Sequence, residues 1–176
     1  FFFFFVVLLA LSIRFYVVSL FRVYWPSLCN TLNNVGGECQ KQYGDIMLVD
    51  HFSMHFSDPK LLDVVVFKPQ NSDNYLVKRV IGVPGDEIKI EDGFVFKKIN
   101  GLYQKLEENY LNNDNLGRTF TVNFRTKVEY LVPEKHFFLL GDNRNQSSDA
   151  RNCFSKVAGT FCDPDTNEPF VSIEQI

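Results

Sequence analysis

The chain has 176 residues, which is enough for one domain with its own core and too few for a large multidomain enzyme. With 45% hydrophobic and 22% charged residues, the composition excludes a disordered or low-complexity chain. A net charge of -3 lacks the positive excess with which a nucleic-acid binder displaces counterions, so we expect no nucleic-acid partner.

The first segment of the chain is apolar. Residues Phe1–Ile13 form an unbroken apolar run, and Arg14 and Arg22 are the only charges up to residue 22. Thirteen helical residues span roughly 20 Å, short of the ~30 Å hydrocarbon core of a bilayer. Because the first residue is Phe rather than Met, we expect the helix to continue upstream. Residues 1–22 are therefore predicted to be a transmembrane anchor followed by an interfacial segment that lies along the headgroups.

Two other structures are open for a run of this length, a buried core helix and the apolar region of a signal peptide. A cleaved signal needs small residues at an A-x-A-like site. The sequence after Ile13, RFYVVSLFRVYW, offers no such site. This favours an anchor that is retained.

The remainder, residues 23–176, is predicted to be one β-rich domain. Short β-branched or aromatic runs bounded by Gly, Pro, Asn or Asp indicate strands. An Asp-Gly pair between two of these runs predicts a hairpin at Asp92-Gly93. Residues 100–118 are polar and rich in Asn, and predict an insertion on the sheet that contains a short helical stretch. The predicted strands are Ile46–Asp50, Val64–Phe67, Tyr75–Val83, Glu87–Ile90, Phe94–Lys98, Thr119–Phe124 and His136–Leu140.

One lysine lies within a predicted strand. Since alternate side chains of a strand point to opposite faces, Lys78 shares its face with Leu76 and Val80, and Arg79 lies on the other face. Burial among apolar neighbours would lower the pKa of the amine, by up to ~3–5 units when burial is complete. Only a lysine with such a lowered pKa can serve as a base near neutral pH. A half-exposed strand lysine with an ordinary pKa is the alternative.

A dense polar loop follows the last predicted strand. Every residue from 142 to 149 carries a charged, amide or hydroxyl side chain. The acids Asp142 and Asp149 alternate with Arg144 and Arg151, so internal ion pairs can make the loop rigid, as the wall of an active site requires. A solvated turn is the alternative.

Four segments of the sequence resemble, in order and spacing, the sequence boxes of the type I signal peptidase family, which are membrane-anchored Ser-Lys serine proteases. These segments are YGDIMLVDHF, VVVFKP, KRVIGVPGDEIKIEDG and VPEKHFFLLGDNRNQSSDAR. The resemblance implies a mainly β fold, a signal-peptidase-like β-barrel or sandwich catalytic domain preceded by an N-terminal transmembrane helix. It also implies an endopeptidase that removes N-terminal signal peptides from exported precursor proteins, with no cofactor and no metal.

The resemblance assigns roles residue by residue. The family's nucleophile lies in a box close to P-S-G-S-M-x-P-T-L, and an ungapped alignment from Arg14 brings Ser27 onto it. Ser27 is then the nucleophile and Lys78 the general base, and Ser147 forms a hydrogen bond with the lysine that orients it. The supporting loop residues are Asp142, Arg144, Asp149 and Arg151.

Three departures from the family pattern surround Ser27. Trp25 replaces a Ser whose hydroxyl helps line the oxyanion hole in many members, Pro26 replaces a Gly, and Asn30 replaces a Pro. A missing oxyanion donor costs ~2.7–4 kcal/mol of transition-state stabilisation, although the Ser27 backbone N–H remains. The alternative function is therefore a non-catalytic relative that acts as a binding or assembly subunit of a partner peptidase.

Other residue patterns favour neither a metal site nor a second catalytic centre. His51 and His55 are four residues apart but lack the Glu of H-E-x-x-H, and the four cysteines form no C-x-x-C pair. A disulfide between Cys153 and Cys162 is open, and Cys29 lies two residues from the nucleophile, where a free thiol could react. The expected partners are signal-bearing precursors and the lipid bilayer, with the catalytic domain on the export side of a bacterial, mitochondrial inner or plastid membrane.

Overall fold

The computed structural model describes residues 2–29, 31–36, 38–39, 44–70, 72–121, 127–155, 157, 162, 165 and 168–176. Helix α1 spans Phe2–Tyr16, and strands make up most of the remaining regular structure. The strands in chain order are β1 Val18–Arg22, β2 Asn34–Val35, β3 Glu38–Cys39, β4 Ile46–Asp50, β5 Val64–Phe67, β6 Leu76–Gly82, β7 Glu87–Glu91, β8 Phe94–Ile99, β9 Leu102–Lys105, β10 Lys127–Leu131, β11 His136–Leu140 and β12 Phe170–Ser172.

The N-terminal apolar run forms a helix that continues three residues beyond Ile13. Helix α1 ends at Tyr16, and strand β1 follows and pairs antiparallel with β4. Residues 18–22, which belong to the predicted interfacial segment, therefore form part of a two-stranded sheet. Phe2 and Phe3 are 83% and 79% exposed. Among the described residues, no helix combines the length and the hydropathy that a membrane crossing requires.

Two four-stranded antiparallel sheets form the body, in the orders β10-β7-β8-β9 and β12-β11-β6-β5. The predictions of β4, β5 and β11 are confirmed at both ends, and those of β6, β7 and β8 within one residue. The predicted hairpin joins β7 to β8. Asp92 and Gly93 both have positive φ, 50° and 83°, as the tightest two-residue turns demand.

The predicted insertion and one predicted strand differ from the structure. Residues 102–105 form β9, which extends the β7–β8 sheet, and no helix forms between residues 106 and 118. Thr119 makes only an isolated bridge to Gly93. The rest of the predicted strand to Phe124 lies largely outside the described residues. The polar, Asn-rich composition of residues 100–118 predicted an insertion, but it did not indicate that part of this segment joins the sheet as β9.

The two sheets share one core, so the sandwich description fits, and neither sheet closes on itself in the described part of the chain. Tyr130, Phe138 and Phe170 pack their rings together within it. Strand β6 contributes to both sides: Ile81 enters this core, while Val80 enters a second cluster on the opposite face. Val80 and Ile81 therefore point to opposite faces of the sheet, next to an irregularity where the register with β11 shifts.

Two disulfides join Cys29 to Cys39 and Cys153 to Cys162. The second was left open by the sequence. The first, which the sequence did not indicate, engages the thiol of Cys29 and closes a loop immediately after the turn that carries Ser27. Both cross-links restrict the unfolded chain and so favour the folded state.

We expect Phe138→Ala to lower the free energy of unfolding by about 3–5 kcal/mol, because it removes a fully buried ring from between the two sheets. Phe56→Ala is the matched control, since Phe56 is 76% exposed, and it should change stability by less than about 0.5 kcal/mol. Guanidinium denaturation followed by near-ultraviolet circular dichroism measures both. Equal losses in the two variants would contradict the assignment of the shared core.

Candidate active site

Ser27 lies in a single 3-10 turn, Pro26–Leu28, with Pro26 at the first helical position, where its missing N–H is not needed. The residue is buried, 7% exposed. Its carbonyl oxygen accepts a hydrogen bond from Asn143 N–H at 3.0 Å, which ties the turn to the polar loop. Its hydroxyl donates to the carbonyl oxygen of Val77 at 3.4 Å.

Lys78 follows Val77 on β6 and is 1% exposed, on the face that also carries Val80. Its Nζ donates a hydrogen bond to the same Val77 carbonyl oxygen at 3.0 Å. The Val77 carbonyl oxygen thus accepts hydrogen bonds from both Ser27 Oγ and Lys78 Nζ. The two side chains that the resemblance assigns to the reaction, which lie on separate parts of the chain, meet at this carbonyl group.

Burial is the largest influence on the amine and lowers the pKa of Lys78 from 10.5 to about 8. The negative charges of Asp149 and Asp142 oppose this effect, and the positive charge of Arg151 adds to it. With a pKa of about 8, about a tenth of the amine is neutral at pH 7. The neutral fraction is what can accept a proton from a hydroxyl.

Ser147 lies beside the Ser27 turn. A methyl group on Gly141 would collide with both the Ser147 side chain and the Ser27 carbonyl oxygen, so the loop backbone must be glycine at this close approach. Ser147 Oγ is buried and has no hydrogen-bond partner within the described residues. The bond from Ser147 to the lysine that the resemblance implies is therefore not formed in this structure, in which Lys78 donates to Val77 instead.

Asp149 and Arg151 form a two-point ion pair within the loop. Arg151 Nε and Nη2 donate to the two carboxylate oxygens, each at 2.8 Å. Gly141 N–H also donates to Asp149 at 3.1 Å. Although burial acts to raise it, the pKa of Asp149 is lowered by the Arg151 charge and these hydrogen bonds. The carboxylate remains charged next to the amine of Lys78.

Asp142 pairs outside the loop. Arg79 Nε and Nη2 donate to its two oxygens at 2.9 and 2.6 Å, and Thr31 Oγ1 donates to it at 2.5 Å. Because Arg79 follows Lys78 on β6, it points to the opposite face of the strand. The loop is therefore attached both to the strand that carries the lysine and to the segment after Ser27.

Arg144 also pairs outside the loop, with a residue that the sequence did not single out. Its guanidinium forms a two-point ion pair with Glu108, and both side chains are almost fully buried. Arg144 Nη1 donates to Thr119 Oγ1 and Nε to Gly141 O. The ring of Tyr110 lies over the Arg79 guanidinium, 4.1 Å from its centre.

These partners were missed for identifiable reasons. Arg79 was placed correctly on the face opposite Lys78, but its acceptor is more than sixty residues away in sequence. Glu108 and Tyr110 belong to a polar segment whose apolar residues show no periodicity, and such a pattern predicts a solvated insertion. The 142–151 loop gave no signal either, because its two acids and two arginines balance one another within the loop.

We expect Asp142→Ala to lower the free energy of unfolding by about 3–5 kcal/mol, because it leaves the buried Arg79 guanidinium without its counter-charge. The matched control is Asp73→Ala, which breaks the exposed pair with Lys68 and should cost less than about 1 kcal/mol. Urea unfolding of both variants measures the difference. A loss below 1 kcal/mol for Asp142→Ala would contradict a structural role of the buried pair.

Comparison with known proteins identifies the family. Residues 1–167 match the family described as signal peptidase, peptidase S26. The chain is 33% identical to signal peptidase I of Leptolyngbya laminosa over 152 residues, which cover 82% of this chain and 64% of that protein. It is 32% identical to signal peptidase I of Bacillus licheniformis over 162 residues, covering 88% of this chain and 80% of that one.

The chain spans less than two thirds of the Leptolyngbya protein and 59% of a probable signal peptidase I of Synechocystis. The crystal structure of a signal peptidase I from Enterococcus faecalis aligns with a TM-score of 0.45 and 24% identity, covering 68% of this chain and 93% of that one. The match over residues 1–167 and the identity to the Bacillus protein establish that this chain belongs to the signal peptidase family, peptidase S26.

Proposed function

We propose that the protein is a membrane-bound serine endopeptidase that removes N-terminal signal peptides from exported precursors, with Ser27 as nucleophile and Lys78 as general base. The observation that carries the proposal is the pair of hydrogen bonds to Val77 O, from Ser27 Oγ at 3.4 Å and from Lys78 Nζ at 3.0 Å. A buried amine with a lowered pKa and a buried hydroxyl therefore share one hydrogen-bond acceptor. The names of the relatives, signal peptidase I, support the same activity.

Acyl transfer needs only the Ser27 hydroxyl, the Lys78 amine and a backbone N–H donor. The neutral amine of Lys78 accepts the Ser27 proton as Oγ attacks the scissile carbonyl, and then gives it to the leaving amine. The acyl group rests on Ser27 as an ester. Lys78 next removes a proton from a water molecule as the water oxygen attacks the ester carbonyl. The bond from the acyl carbon to Ser27 Oγ then breaks, Lys78 returns the proton to Oγ, and the acyl product leaves as a carboxylic acid.

The oxyanion of each tetrahedral intermediate requires hydrogen-bond donors. Trp25 offers no hydroxyl where many relatives have one, and its side chain is 60% exposed. The Ser27 backbone N–H is therefore the donor that we assign. With one donor fewer, the protein should turn over more slowly than relatives that have the Ser, by a factor on the order of 10²–10³.

Helix α1 is the membrane anchor in this proposal. Its apolar side chains from Phe2 to Leu8 are exposed in the structure, and a run of exposed apolar side chains of this extent requires an apolar partner. Anchoring at the bilayer holds the site near cleavage points that emerge from it, which raises their effective concentration. The two disulfides support a catalytic domain on the export side, because such bonds persist in oxidising compartments.

A non-catalytic subunit that binds a partner peptidase is the second candidate. Two observations favour it: Trp25 removes an oxyanion donor, and Ser147 Oγ makes no bond to Lys78. Such a protein would keep the fold and the buried network while losing turnover. Cleavage assays on the wild type and on the Ser27→Ala and Lys78→Ala variants separate the two candidates.

We expect the full chain in detergent to cleave a preprotein with an A-x-A site, and Ser27→Ala and Lys78→Ala to lose at least about 10³-fold in kcat/KM. Ser72→Ala, at a half-buried position, and Lys68→Ala, at an exposed one, are the matched controls and should retain activity. Gel analysis and mass spectrometry of the cleaved ends measure the rates. Cleavage insensitive to both active-site substitutions would refute the dyad, and folded but inactive wild-type protein would favour the non-catalytic candidate.

The pH dependence of cleavage should follow the fraction of Lys78 that is in the neutral form. Since the neutral form of Lys78 is active and its pKa is about 8, kcat/KM should rise about tenfold per pH unit below pH 7 and level off above pH 9. Initial rates between pH 5.5 and 9.5, with folding checked by circular dichroism at each pH, measure the profile. A rate independent of pH between 6 and 9 would be incompatible with Lys78 as the base.

A further inference from the structure

The segment between β9 and the Thr119 bridge, residues 106–119, packs directly on the polar loop. Leu106 N–H donates to Val95 O and Thr119 N–H to Gly93 O, which attach both ends of the segment to the β8 strand and its turn. Asn145 N–H donates to Asn115 Oδ1 from the loop side. The polar insertion is therefore part of the body of the domain and faces residues 142–149.

Glu108 is the charged contact from this segment to the loop. It is 8% exposed, and its carboxylate meets the guanidinium of Arg144 in a two-point pair. Arg144 Nε in turn donates to Gly141 O at 3.1 Å. Gly141 is the residue that closely approaches Ser147 and the Ser27 carbonyl oxygen. One continuous chain of contacts thus runs from Glu108 to the nucleophile turn.

Tyr110 is the second contact, and it reaches the lysine strand. Its ring lies over the Arg79 guanidinium, and its hydroxyl donates to Glu108 Oε1 at 2.7 Å. Burial, and then the Glu108 charge, raise the pKa of Tyr110, so the hydroxyl keeps the proton that it donates. Arg79 adjoins Lys78 on β6 and holds Asp142 of the loop.

We propose that Glu108 and Tyr110 are positioning residues, which hold the polar loop and strand β6 in one arrangement so that Ser27 and Lys78 stay together and water stays excluded from the amine. The proposal rests on the dyad function above. Neither residue reaches the reacting atoms; Glu108 acts through Arg144, and Tyr110 acts through Arg79.

The physical basis is the cost of the buried guanidinium groups. Arg79 and Arg144 are both nearly inaccessible to water. Among the described residues, Glu108 is the one carboxylate that forms an ion pair with Arg144. If Glu108 or Tyr110 is altered, the guanidinium groups must move toward water, and the loop must move with them. Water that follows them would relieve the burial of Lys78, and its pKa would return toward 10.5.

Three variants test the proposal. Glu108→Gln removes the charge, Tyr110→Phe removes the hydroxyl but keeps the ring over Arg79, and Tyr110→Leu removes the ring. Glu107→Gln is the matched control, because it makes the same chemical change at the adjacent, exposed position. Steady-state cleavage gives kcat and KM at a temperature at which each variant is folded. Lysine ¹³C NMR titration in a Ser27→Ala background gives the Lys78 pKa, with the signal assigned by its loss in Lys78→Met.

We expect Glu108→Gln to lower kcat about 10- to 100-fold while KM changes less than about threefold, because misplacement of the reacting groups affects turnover more than peptide binding. Tyr110→Leu should act in the same direction, and Tyr110→Phe should have the smallest effect. In Glu108→Gln and Tyr110→Leu the Lys78 titration should move above 8. Glu107→Gln should match the wild type in all three quantities.

The proposal is overturned if Glu108→Gln and Tyr110→Leu keep kcat and the Lys78 titration of the control, even with a lowered melting temperature, since that result describes a purely structural role. Should Glu108→Gln fail to fold, Tyr110→Leu decides by the same criteria. If the wild type does not cleave precursors, the proposed function fails, whereas the Lys78 titration still decides whether Glu108 and Tyr110 control the environment of the amine.

Discussion

The burial of one amine sets the requirements for the rest of the molecule. Lys78 is 1% exposed, and this burial keeps its pKa near 8. An amine next to water would be protonated at neutral pH and unable to accept a proton. The amine belongs to a central strand of one sheet, and the charges that act on it, those of Asp149, Arg151 and Asp142, all belong to the polar loop.

A loop rich in charges can cover the amine only if its own charges are satisfied. Each loop arginine and aspartate has a fixed partner: Asp149 pairs with Arg151, Asp142 with Arg79, and Arg144 with Glu108. Two of these three pairs leave the loop and join distant segments. Buried pairs of this kind contribute little net stability, but removal of either member is costly, so they favour one arrangement of the site over others.

The local parts of this arrangement could be predicted from the sequence. Period-two alternation placed Lys78 on the apolar face and Arg79 on the opposite one, and the Asp92-Gly93 turn identified its hairpin. The long-range parts could not be predicted, because the attachment of Glu108 to Arg144 and the disulfide of Cys29 depend on how separate segments meet in space. Strand β1 was not predicted either, because its pairing with β4 joins segments that are far apart in sequence.

The position of the one tryptophan gives the protein a built-in optical probe. Trp25 is the sole indole in the chain, lies two residues before Ser27 and is largely open to solvent. Emission from an exposed indole changes when a ligand displaces the surrounding water. Binding of a peptide next to Ser27 can therefore be followed by intrinsic fluorescence on unlabelled protein, in catalytic and inactivated forms alike.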